Sequence, residues 1–137
     1  MHRNRFVAII VLILAIFGVA VGYVLYVSTF SPESKAVNVS KQSPVVQRFI
    51  SEHPNAENSV WKWYVKSDGS VYTVSDDWEL ETDVGRIIGK PIDGKDHYCW
   101  MVHWHEPVIG KQCTVDVYVD KDSWEIILVE EGCWFLG

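Results

Sequence analysis

Between His97 and Glu106 the chain reads HYCWMVHWHE, and alternate positions carry His97, Cys99, Met101, His103 and His105. Each of these side chains can bind a transition metal: imidazole suits zinc and copper, while thiol and thioether favour a soft ion such as copper. On a β-strand all five share one face, with neighbours two apart separated by roughly 6.7 Å along the chain. His97 and His105 then lie about 27 Å apart and cannot share one ion. His103-Trp104-His105 is the compact unit, because two imidazoles at that spacing can converge on zinc or copper at ~2.0 Å. A third ligand has to come from a neighbouring strand. The same residues are also ordinary occupants of the wet face of an antiparallel sheet, so both readings stand on the sequence.

Catalysis has less support. His105 and Glu106 are adjacent rather than convergent, no Ser stands in a nucleophile-elbow setting, and no Gly-rich phosphate loop follows a strand. Asp76, Asp77, Glu79, Glu81 and Asp83 lack the spacing of a calcium loop. The expectation is a protein that is not an enzyme.

The elements that position the His-rich segment are legible from period-two patterning. Tyr98, Trp100, Val102 and Trp104 make the apolar face of one strand, and Cys113, Val115, Val117 and Val119 that of the next. Pairing Trp104 with Cys113, Val102 with Val115 and Trp100 with Val117 leaves a loop across Pro107 to Gly110. Asp116 then falls opposite Met101, which makes Asp116 or Glu106 the best carboxylate, and a site of His103, His105 and Asp116 holding copper or zinc is the result. Asp120 to Ser123 turns the chain into WEIILV, a third strand.

Upstream, VWKWYVK and VYTVS flank Ser67-Asp68-Gly69-Ser70 and predict a hairpin. Ser43-Pro44 reads as a helix start, with a hydroxyl able to cap and Pro at the first helical position. Val45, Val46, Phe49 and Ile50 then form one face of a helix that Pro54 ends. DDWELETD has no clean period, and Gly85, Gly89, Pro91 and Gly94 mark an irregular connection. Of the seven Trp, Trp61, Trp63, Trp100 and Trp104 sit at alternating positions that suit a core; Trp78 and Trp134 fall outside these patterns, and exposed together they would mark a partner surface.

Three cysteines leave one unpaired. Cys99 and Cys113 occupy opposite strand faces, whereas pairing Val119 with Trp124 places Cys113 opposite Glu130, three residues short of Cys133. A bulge or curl would join Cys113 to Cys133 and leave Cys99 free; the alternative is three reduced thiols.

The N-terminus decides where these elements reside. From Phe6 to Val27 run 22 residues without a charge, a helix about 33 Å long against a hydrocarbon core of roughly 30 Å. The rival reading is a cleaved signal peptide ending near Ala20-Val21-Gly22, but the apolar run continues past that point to Val27. His2, Arg3 and Arg5 precede the span, so the positive-inside rule puts residues 1–5 in the cytoplasm. The expected organisation is a single-pass cell-membrane protein held in the lipid bilayer by residues 6–27. A Ser-rich tether follows at 28–43, and residues 44–137 form a domain outside. All 18 acidic residues and 10 of the 12 basic ones lie beyond the span, giving that part a formal charge of −8. Such a surface argues against nucleic acid as a partner.

These elements define an α+β fold: an N-terminal transmembrane helix, then one short helix packed on a meandering antiparallel β-sheet. The helix followed by strands ending in VYVDKDSWEIILV resembles the PepSY-like domains, in which a strand closes on a Val-Asp pair, turns tightly and leaves as an apolar strand. Val119-Asp120, Glu125-Ile126-Ile127 and the Tyr98–Val102 strand carry the resemblance. It spans Pro44 to Glu130 in layout and only the C-terminal strands in motif, and Trp124 stands where that family often has Gly. The resemblance implies a non-catalytic extracytoplasmic domain that binds or restrains a protein partner, and it carries no catalytic residues over.

Overall fold

The computed structural model describes residues 2–107 and 110–135. The chain divides into two units, Met1–Lys35 and Ala36–Gly137. In the first, helix α1 (His2–Phe30) contains one stretch, His2–Tyr26, long and apolar enough to cross a membrane, with none of its most apolar window buried. The expected tether at 28–43 is only partly that, because Pro32–Ser40 forms a second helix, α2. Its start is encoded in SPES: Ser31 Oγ accepts the Ser34 N–H at 3.2 Å, Pro32 takes the first helical position, and Glu33 lies in the positive first turn.

Helix α3 (Pro44–Glu52) follows with Val46 and Phe49 buried. Ser43 does not cap it with its hydroxyl as expected; its carbonyl accepts the Gln47 N–H instead, and the side chain is itself buried. Six strands then make one antiparallel sheet: β1 (Glu57–Val65), β2 (Ser70–Val74), β3 (Leu80–Ile87), β4 (His97–His105), β5 (Lys111–Asp120) and β6 (Ile126–Phe135), in the spatial order β3-β2-β1-β4-β5-β6, two three-strand meanders joined where β1 pairs with β4. The fold is α+β, with two short helices where one was expected.

Helices α2 and α3 cover the face made by Trp100, Val102, Trp104, Val115, Val117 and Val119. One polar contact fixes this packing. Trp104 Nε1 donates to Ser40 Oγ at 3.0 Å, and Ser40 Oγ donates to Val37 O at 2.7 Å, so a buried indole N–H and a buried hydroxyl satisfy each other. Trp78 stacks edge-on against Trp100 at 4.9 Å from this same side, with the Lys62 and Lys121 ammoniums over its ring.

The opposite face is not the wet face that alternation predicts. Val65, Val71, Ile88, Cys99, Met101, Tyr118 and Ile127 form a second buried cluster there. A strap from Ile88 to Asp93, between β3 and β4, crosses the face. Ile88 N–H donates to Gly69 O and Ile92 N–H to Ile127 O, both at 2.9 Å, while Gly89 N–H donates to Glu130 Oε1 at 3.3 Å. Gly69 sits at φ +90° in the β1–β2 turn, the left-handed region glycine enters freely, and lets the strap approach closely.

Two registers differ from expectation. On β4–β5 the partners are Trp104 with Val115, Val102 with Val117 and Trp100 with Val119, a slip of two that brings His103 opposite Asp116. On β5–β6 an irregularity between Tyr118 and Val119 adds one more residue, so Cys113 lies directly opposite Cys133 and Asp116 opposite Glu130. Cys113 and Cys133 are disulfide bonded, and Cys99 is a buried free thiol. The turn before β6 holds Trp124 at φ +60°, which is the conformation a Gly adopts without cost. Residues 108 and 109 of the expected Pro107–Gly110 loop lie outside the described residues.

Candidate functional site

Register turns the strapped face into a lattice of side chains. One row across the sheet runs Ser59, His103, Asp116 and Glu130; the next runs Trp61, Met101, Tyr118 and Leu128. Over these rows lies a cavity of about 250 Å³. Its floor includes Met101, His103 and Asp116, its walls Trp61 and Trp134, and its rim Arg86 and Glu130. Trp134 lies over Gly132, its ring atom Cζ3 3.5 Å from where a Cβ there would stand, an ordinary contact distance.

His103 donates from Nδ1 to Asp116 Oδ1 at 2.5 Å, a charge-assisted contact that fixes the ring. The ring stacks on Trp61 at 5.9 Å and on His105 at 5.1 Å between centroids. Ser59 is the cross-strand partner of His103, yet no side-chain hydrogen bond joins them among the described residues. Tyr118, opposite Met101, is fully buried and its hydroxyl has no protein partner among the described residues. Burial pushes its pKa up, and the carboxylates of Asp116 and Glu130 push it further.

The five candidate ligands therefore part company. His103 and Asp116 meet directly. His105 stacks beside them, with Nε2 3.8 Å from Glu57. Cys99 and Met101 are core residues, and burial raises the Cys99 thiol pKa. His97 is held by Asp120 at Nδ1 (2.6 Å) and by Asp93 at Nε2 (2.7 Å). Burial works to lower its pKa, but the two carboxylate bonds prevail and the net shift is upward. Glu106, the other carboxylate candidate, pairs with His53. No group of three His, Cys, Asp or Glu side chains suited to hold a metal occurs among the described residues.

Sequence reasoning missed Trp61, Arg86 and Glu130 as site residues; Trp134, considered with Trp78 as a partner surface, lines the cavity without Trp78. Trp61, expected in a core, is 49% exposed. Trp134 is 46% exposed and does not pair with Trp78, which packs toward the other face. A usable signal did exist: placing Cys113 directly opposite Cys133 puts Glu130 opposite Asp116 without further information. Comparisons with protein-family models, curated proteins and solved structures find no match for this chain.

Proposed function

We propose that this chain is a single-pass membrane protein with its N-terminus in the cytoplasm. Its acidic head stands outside and, without catalysis, binds or modulates a protein partner through the strapped face. The observation that carries the partner reading is the uncovered aromatic surface around the cavity. Trp61 and Trp134 both line it and are half exposed, 49% and 46%, on a sheet face whose neighbouring row of side chains is buried. Helix α1 supports anchoring, Arg3 and Arg5 in its first turns, ahead of the uncharged run, support the orientation, and the Cys113–Cys133 bridge suits an oxidising compartment. The resemblance to PepSY-like domains points the same way.

The test uses the full chain in its native membrane. The chain should sediment with membranes, and protease added to whole cells should degrade the head. A photo-crosslinking side chain at Arg86, on the cavity rim, should give a discrete adduct that the same group at Glu52, on α3, does not. Recovery in the aqueous fraction overturns the anchoring, and identical adduct patterns at both positions overturn the partner face.

One geometric feature favours a second reading, copper or zinc bound at His103, His105 and Asp116: the stacked imidazoles and the His103–Asp116 contact. It requires a metal-induced rise in melting temperature that disappears when both histidines become Ala.

A further inference from the structure

Asp116 and Glu130 are direct cross-strand partners on the same sheet face. Like charges directly opposite on a sheet are unfavourable. Each has one oxygen engaged, Oδ1 of Asp116 with His103 and Oε1 of Glu130 with the Gly89 N–H, and neither bond removes the negative charge. Arg86, at the cavity rim, forms no ion pair with either among the described residues. Above this acid pair stand the two half-exposed indoles of Trp61 and Trp134, and beside it Tyr118 holds a buried hydroxyl without a protein partner.

Arg86 lines the same cavity without pairing with either acid, so two carboxylates face one guanidinium; a neutral occupant leaves that excess negative charge in place, and an anion adds to it. A cation relieves the pair and gains from the indole faces, which attract ammonium and guanidinium groups. The head's charge of −8 also raises the local concentration of cations.

We propose that the cavity walled by Trp61 and Trp134 recognises the ammonium or guanidinium of a Lys or Arg side chain, seated over Asp116 and Glu130. This deepens, and rests on, the reading of the strapped face as a partner surface. The aliphatic stem of such a side chain lies against the indoles and Met101, and its charged end reaches the free carboxylate oxygens. A cavity of about 250 Å³ holds one such side chain.

The experiment titrates the full chain in detergent micelles with N-acetyl-lysine and N-acetyl-arginine methylamides, followed by Trp emission and saturation-transfer NMR. Controls are the norleucine and glutamate analogues and tetramethylammonium. Expected are saturable, millimolar binding of the two cationic amides and none of the norleucine or glutamate ones. Glu130→Gln should weaken binding about tenfold, Trp134→Ala should abolish it, and Glu52→Gln should leave it unchanged. Near-UV circular dichroism confirms that each variant is folded. Equal binding of the norleucine amide, or unchanged affinity in both Glu130→Gln and Trp134→Ala, overturns the proposal. Tighter binding of tetramethylammonium than of either amide overturns the side-chain assignment in favour of a free organic ammonium. A crosslink at Arg86 together with no cation binding would refute the pocket chemistry while leaving the partner reading intact.

Discussion

Replacing both Cys113 and Cys133 with Ser should cost the head about 3 kcal/mol, the loop-closure value for the 20-residue separation of the bridge. The bridge acts on the unfolded chain, since β5 and β6 are already paired on both sides of it, from Lys111 with Phe135 to Val119 with Ile126. The double variant should therefore keep its hairpin and its near-UV signal at 25 °C. For a folded unit of roughly 100 residues, 3 kcal/mol corresponds to a fall in Tm of about 15 °C. Thermal melts of the full chain in micelles measure this, with and without reductant, and reduction of the parent chain should reproduce the variant. Cys99 serves as the internal control. Buried, with its thiol directed at Trp63 O at 3.5 Å, it should resist alkylation in the folded chain and react once on unfolding. A Tm change below about 5 °C would refute the account of the bridge as a constraint on the unfolded ensemble, and so would two alkylatable thiols in the unreduced, folded chain.

Ser40→Ala removes the acceptor of the Trp104 indole N–H and should cost about 1 to 3 kcal/mol, read as a lower Tm. An unchanged Tm would remove the Ser40–Trp104 contact as the lock between α2 and the sheet. Gly69→Ala would place a Cβ 2.3 Å from Ile88 O at a φ of +90°, so it should cost at least about 2 kcal/mol and speed hydrogen exchange at the Ile88 amide. Equal exchange in parent and variant would show that the strap is not held there. His97 contributes stability that is fully present below its unfolded pKa, about 6.5, and is lost as pH rises through its raised folded pKa. Asp93 and Asp120 have lowered values: Asp93 through its His97 bond, Asp120 because the Ser123 N–H and His97 outweigh burial. Their share is lost as pH falls through the folded values. The clamp is thus strongest between about pH 4 and 6.5. The parent should melt higher relative to His97→Gln at pH 5.5 than at pH 8.5, and a gap that does not depend on pH would refute the clamp.

How much of this was readable from residues follows from what local patterns encode. Helix α3 and strands β1, β2, β4, β5 and β6 announce themselves because burial of a stripe or face leaves a period in the sequence, and helix α1 because its apolar run is unbroken. Strand β3 does not, since every residue from Leu80 to Ile87 is exposed and an edge with two solvated faces has no alternation to read. Helix α2 was legible in Ser31-Pro32-Glu33, but the Ser content of the segment read as a tether. The second buried face depends on the strap, whose contacts with Gly69, Ile127 and Glu130 all come from residues distant in sequence.

Register is where the site was lost, and the two errors differ in kind. A slip of two on β4–β5 keeps every side chain on its own face, so hydrophobic patterning cannot detect it, and His103 met Asp116 only once the strands were aligned. On β5–β6 the same slip of two combines with the irregularity at Tyr118 and Val119 to make three, an odd number that exchanges the faces. In the expected register Cys113 faced Glu130, which sent that carboxylate toward the helices and away from Asp116. The cavity's acid pair therefore owes its existence to one extra residue at the start of β6, and the disulfide holds that residue's consequence in place. Shifting the register back would separate the Cys pair and the acid pair together, which couples the integrity of the bridge to the charge of the pocket.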